Sequence, residues 1–444
     1  MKIRLRNYCF ATLMFASIVS LKAQTTFEGE YRPRFEFREG FRKPLSDTLK
    51  PAFLTLQRTR MSAGYKSGIL RTQFTLQDAR IFGASDVRSS ASKIEVYEAW
   101  AELLFTPLVS VQVGRQKLKY DDQRVLGESN LSNTGQAHDV TLLKYTTKDF
   151  QAHFGYAYNN IKDTLLEINY TVSKMYKSMG FLWLSKDFGH GVSVTAIGIN
   201  EGLQTSVNYL KTYYRNTIGT NVVLQNDSSR FGIRLSGYYQ FGKSNVYDTA
   251  KIVKNTTYAD LNAFLLSFKA TYKILKPITL RVGLDHFSGT GSSTANNRST
   301  TFNRLYGTNN SFGGGMGYFV SFPKAGLSDY YAGVSCKSST KLSIDFDLHF
   351  FNLDKEMSYN TKTNDGTVLK TTVNAYIGSE ADLVANYKLS KETNIQAAYS
   401  MYFNSGSTLK YFKMGNTNTF FPQWAYLMLT IKPQFYKSPE VKVN

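Results

Sequence analysis

The chain has 444 residues, 42% hydrophobic and 19% charged, with a formal net charge of +20 and a mean hydropathy of −0.30. Beyond the N-terminus no stretch approaches the roughly 18 uninterrupted apolar residues of a spanning helix, so any membrane crossing falls to strands. Of the two cysteines, Cys9 lies in the leader and Cys336 stands alone in the remainder, which excludes an internal disulfide.

The leader reads as a secretory signal peptide. Lys2, Arg4 and Arg6 form a basic start, residues 8–21 are largely apolar, and Ala23-Gln24 is the expected cleavage point. Residues 1–23 are therefore expected to be removed, leaving 24–444 as one domain.

Residues 27–38 open that domain with two unlike faces. Phe27, Tyr31, Phe35 and Phe37 occupy odd positions. Glu28, Glu30, Arg32, Arg34, Glu36 and Arg38 occupy even ones. A strand sends successive side chains to opposite faces, so one face is aromatic and the other charged. Pro33 shares the aromatic parity and removes a ladder donor, which predicts a bulge or weakened pairing there.

Alternating segments then recur at 53–65, 69–78, 94–105, 108–116, 138–146, 150–159, 175–185, 192–200, 211–224, 230–241, 261–273, 278–287, 326–336, 341–351, 376–387, 393–403 and 423–432. Short turns such as Lys66-Ser67-Gly68, Thr106-Pro107 and Lys276-Pro277 alternate with long polar connections. This predicts an all-β fold: a transmembrane antiparallel β-barrel of about 18 strands, with short periplasmic turns and long extracellular loops. A soluble sandwich has no reason to segregate loop lengths by end.

Several segments repeat the opening pattern. Phe231, Ile233, Leu235 and Tyr239 oppose Arg230, Arg234 and Gln240, while Leu342, Ile344, Phe346 and Leu348 oppose Asp345, Asp347 and His349. Parity thus sends Arg32, Arg34, Arg38, Arg58, Arg60, Arg71, Arg230, Arg234 and Arg281 to the lumen, with Glu36 and other carboxylates among them. Guanidinium groups stay charged and match a carboxylate in a bidentate way, and rings of them bias a pore towards anions.

Read in order, short motifs resemble the alginate-export family of outer-membrane barrels. They are Glu30-Tyr31-Arg32-Pro33-Arg34, Gln57-Arg58-Thr59-Arg60, Leu76-Gln77-Asp78-Ala79-Arg80, Gly114-Arg115-Gln116, residues 122–127 and residues 302–319. Asn310, Ser311 and Gly317 depart from the family pattern, which has His-Lys and Asp there. The resemblance implies a monomeric 18-stranded barrel conducting an acidic polysaccharide. It also adds Asp78, Arg80, Arg115 and Arg124 as motif candidates, although Arg80 and Arg115 carry the outward parity of their strands.

Catalytic and metal sites are not expected. The five histidines have no metal-ligand spacing, and the one arrangement suggestive of a barrel hydrolase is His286 near Ser288. The glycine-rich runs 289–297 and 313–315 lack a phosphate-loop context and read as flexible external loop. The cations alternate along strands and form no block suited to nucleic acid. The expected function is a cofactor-free, non-enzymatic channel in the outer membrane of a Gram-negative bacterium. It would pass anionic, alginate-like polysaccharide or oligosaccharide, in contact with outer-membrane lipid and with periplasmic export or uptake components. The alternative is a general or small-anion porin.

Overall fold

In the computed structural model, residues 23–84, 94–172, 175–204, 210–225, 229–245, 258–292, 297–308, 311–362, 366–414 and 418–439 are described. Except for Ala23, the expected leader lies outside them, as does Asn310. The alternating segments form eighteen barrel strands: β1 (Gln24–Glu39), β2 (Ala52–Ser67), β3 (Leu70–Ile81), β4 (Glu95–Leu104), β5 (Val109–Gln116), β6 (His138–Thr146), β7 (Phe150–Tyr158), β8 (Ser178–Gly189), β9 (Val192–Leu203), β10 (Tyr213–Gln225), β11 (Phe231–Asn245), β12 (Tyr258–Leu275), β13 (Ile278–Phe287), β14 (Leu327–Cys336), β15 (Leu342–Asn352), β16 (Tyr376–Lys388), β17 (Thr393–Asn404) and β18 (Gln423–Ile431). Each pairs antiparallel with the next, and β18 returns to β1 through pairs such as Arg34↔Met428 and Phe37↔Ala425. Closure leaves no sheet edge, which is what lets strands cross a bilayer.

Side-chain parity sorts the wall. Phe35, Phe53, Phe154, Phe231 and Phe350 are exposed on the outer face, where lipid replaces water as the solvent for apolar groups. Arg32, Arg34, Glu36 and Arg58 are buried on the inner face. The short turns lie at the end that carries both termini. Pro277 sits in one of them, and Gly68 adopts φ +51° in another, a left-handed conformation that glycine takes without steric cost.

Pro33 does not bulge its strand. The β1–β2 register runs unbroken through Pro33↔Gln57. On the β18 side the ladder skips from Tyr31 to Arg34 in constant register, so the missing donor thins the seam without shifting it. The register shift in β1 lies lower, between Phe27 and Glu28, where Gln434–Lys437 continues the last strand beyond Pro433.

The apolar core lies inside the barrel. Leu118, Val125 and Leu126 from the 117–137 connection pack with Phe302, Met316 and Phe319 from the 288–326 connection. Wall residues Leu265, Phe351 and Tyr402 meet them. β12 accordingly presents Leu261, Ala263 and Leu265 inward, while Phe264, Leu266 and Phe268 face out. Both long connections are folded into the lumen. The 353–375 connection carries its own hairpin, Met357–Lys362 with Val368–Val373.

Candidate functional site

The arginines of β1 and β2 grip the 117–137 loop. Arg32 donates to the carbonyls of Asn130 (2.6 Å) and Ser132 (2.7 Å). Arg34 donates to Leu131 O (2.6 Å) and to Glu36 (2.6 Å). Arg58 pairs with Glu30 at 2.6 Å and reaches Asn130 O (3.1 Å), Asn130 Oδ1 (2.9 Å) and Ser132 O (3.3 Å). Arg60 bonds Gln77 (2.8 Å) and Thr134 O (3.2 Å), and its guanidinium lies 3.6 Å from the centroid of Tyr97. A turn of backbone carbonyls presents several acceptors at once, which suits a fork of charged donors. Arg38 stays nearer the mouth, bonded to the second oxygen of Glu36 at 2.6 Å.

From that wall the loop crosses the lumen. Tyr120 reaches His153 of β7 (3.2 Å), and Asp121 accepts from Trp183 of β8 (2.9 Å). Arg124 joins Asp122 (2.7 Å) to Asp285 of β13 (2.8 Å). Burial opposes the charge on Arg124, but Asp285 and Asp122 outweigh it and hold the guanidinium above its usual pKa. Burial pushes Asp121 above the usual carboxylate range.

The 288–326 loop locks onto the first. Tyr306 N–H donates to Val125 O (3.0 Å), Gly127 N–H to Tyr306 O (2.9 Å) and Thr308 N–H to Gln123 O (2.8 Å). Phe312 packs against Arg124, whose guanidinium lies 4.0 Å from the ring centroid. Gly313-Gly314-Gly315, expected as external loop, lies in the lumen instead. Gly315 N–H donates to Asp382 (3.1 Å) and Met316 N–H to Glu380 (2.6 Å). Glycine is required for that approach. A Cβ at Gly314 would stand 2.6 Å from the Glu380 carboxylate, and its φ is +80°.

Other expected lumen residues sit below the loops. Arg281 is clamped by Asp347 and by Asp345 (3.1 Å). Arg71 lies 3.6 Å from Glu102, which also takes Ser110 (2.7 Å) and Lys144 (3.4 Å). Arg230, just ahead of β11, is exposed. Arg234 lies directly opposite Lys269 in the β11–β12 ladder, and neither forms an ion pair among the described residues. Lys269 was not singled out from the sequence. Its parity was legible, since Ser267, Lys269, Thr271 and Lys273 alternate with Leu266, Phe268, Ala270 and Tyr272, but only guanidinium groups were weighed as lumen cations.

Three motif candidates, Asp78, Arg80 and Arg115, face away from the lumen. Asp78 and Arg80 share the outward parity of Phe74 and Leu76 and pair with each other at 2.6 Å. The irregularity in the β3–β4 ladder falls at Thr75/Leu76, and the β2–β3 register stays unbroken, so no bulge turns them inward. Arg115 also faces outward, 3.0 Å from Asp139, at the ends of β5 and β6. Arg124 reaches the lumen because its loop carries it there. His286 meets Ser328 (2.8 Å) on the neighbouring strand, whereas the Ser288 hydroxyl donates to Thr300 O.

A closed antiparallel barrel with a charged inner wall, narrowed by two interlocked loops, defines the class: an outer-membrane channel of the porin type. The chain belongs to the alginate export family, whose model matches residues 23–419. Among solved structures it is similar to OccAB1 of Acinetobacter baumannii, at 11% identity and TM-score 0.60, covering 93% of this chain and 97% of that one. OprD of Pseudomonas aeruginosa gives 11% identity and TM-score 0.57, over 93% and 96% of the two chains. A BenF-like porin from Pseudomonas fluorescens Pf-5 gives 12% and 0.57, over 93% and 99%. No curated protein matches the chain.

Proposed function

We propose that this channel conducts anionic, uronate-containing polysaccharide or oligosaccharide through a basic lumen. The observation that carries the reading is the Arg234↔Lys269 pair. Like charges directly opposite on neighbouring strands destabilise a sheet, and among the described residues no carboxylate lies within ion-pair distance of either, although Asp347 and Asp285 attract Lys269 and Asp121 attracts Arg234 from further away. A fold keeps such a cost where a passing anion offsets it. The acids elsewhere in the lumen neutralise Arg281 and Arg71, which limits binding so that the solute leaves again. A passive channel follows the gradient, so the same pore serves export or uptake, working as a monomer with periplasmic components that deliver or receive the solute.

A small-anion porin is the second reading, favoured by the way the two loops interlock across the lumen. Planar-bilayer recordings with added oligouronates separate the two. Reversible block at low oligouronate concentration supports the polysaccharide path. Anion-selective conductance without block supports the porin.

A further inference from the structure

The mouth of the barrel holds a second cationic site, built on one aromatic ring. Phe41 follows β1 and gathers two guanidinium groups, with Arg38 Cζ 4.7 Å and Arg42 Cζ 5.3 Å from its centroid. Behind it Trp424 stacks at 4.7 Å, and Trp424 in turn packs on Tyr426 at 4.7 Å and donates Nε1–H to Glu36 at 3.0 Å. The platform is therefore braced from the wall.

Its charge is not balanced. The Glu36 oxygens are shared by Arg34, Arg38 and Trp424. The Arg42 guanidinium is exposed and forms no ion pair among the described residues. Arg42 also holds a left-handed backbone, φ +70°, which side-chain-bearing residues rarely adopt. Its N–H donates to Met316 O at 2.9 Å, so the inward loop fixes that conformation. Gly317, at φ +70°, lies beside the pair: a Cβ there would make ordinary contact with Arg42 Cγ at 3.5 Å and with the Phe41 ring at 3.6 Å. Strain retained around an unneutralised cation marks a functional position.

We propose that Arg38, Phe41 and Arg42 form a receptor for the carboxylate of a uronate sugar at the extracellular mouth. This rests on the anionic-saccharide reading of the channel and names where that solute first docks or last leaves. The forked guanidinium donors match a planar carboxylate, and the ring holds both cations at the position the sugar passes.

The test uses the full chain in detergent micelles, titrated calorimetrically with trigalacturonate and, as a neutral probe, maltotriose. The wild type binds the first and not the second. Arg42→Gln weakens binding about tenfold, the effect of one charge-assisted hydrogen bond. Phe41→Leu weakens it while keeping both charges. Gly317→Asp weakens it by placing a carboxylate beside Arg42. Lys43→Gln, the same charge change one residue away, leaves affinity within about twofold, as for a solvent-screened charge. Equal losses in the Arg42 and Lys43 variants, or no binding by the wild type, overturn the mouth site. Reversal potentials recorded on the same proteins keep the two readings apart. Mouth binding on a cation-selective channel refutes the conduction reading alone, and anion selectivity without mouth binding refutes the receptor alone.

Discussion

Replacing Arg32 by glutamine tests what the β1–β2 arginines do. Among the described residues Arg32 makes no ion pair within hydrogen-bonding distance, and its two short bonds go to the loop carbonyls of Asn130 and Ser132. Hydrogen bonds to a charged group contribute about 1.5–3 kcal/mol each. Losing both costs the docked loop about 3 kcal/mol at the lower bound, or about a hundredfold in the ratio of docked to released loop. Arg58 also tethers the loop, but it neutralises Glu30 as well, so its removal mixes two effects. Single-channel recordings of Arg32→Gln are expected to show new, larger and noisier open levels with anion preference retained. A variant with unchanged open levels and reduced anion selectivity would refute the tether and return Arg32 to the solute path.

Four further outcomes follow from the same contacts. Gly314→Ala places a Cβ against the Glu380 carboxylate in a left-handed conformation, costing about 1–2 kcal/mol from backbone strain alone, and recordings are expected to show more frequent openings. Arg234→Gln combined with Lys269→Gln is expected to lower the anion-to-cation permeability ratio while leaving heat-modifiable gel migration intact. Asp285→Asn breaks the ion pair to Arg124 at the crossing of the two loops. Asp122 still neutralises Arg124, so the loss is that of one charge-assisted hydrogen bond, about 1.5–3 kcal/mol, read as earlier proteolysis within 117–137. Arg115→Gln removes an exposed rim pair, so thermal stability is expected to change by less than about 1 kcal/mol.

The barrel was legible in the sequence because its wall obeys one period. Phe27, Tyr31, Phe35 and Phe37 against Glu30, Arg32, Arg34 and Arg38 is a two-residue alternation, and the short and long connections place the ends. The inward loops were not legible. Leu118, Val125, Leu126 and Phe319 sit in aperiodic stretches, and periodicity says nothing about where such a stretch folds back. For the same reason Gly313-Gly314-Gly315 reads as flexible chain, although it is a close backbone approach to Glu380 and Asp382. Lys269 was legible by parity, because the inner face of β12 is apolar only at Leu261, Ala263 and Leu265 and turns polar from Ser267 to Lys273, but a reading confined to guanidinium groups passed over it. Parity alone was sufficient for Arg80 and Arg115, where motif likeness pointed inward and the strand period pointed outward.

The most direct measurement is the reversal potential of the single channel in a potassium chloride gradient, followed by addition of an oligouronate to the same bilayer. An anion-selective pore that oligouronate blocks reversibly, and that maltotriose does not block, is the expected result. A cation-selective pore, or one that charged and neutral oligosaccharides affect alike, would contradict a basic lumen built to pass acidic saccharide.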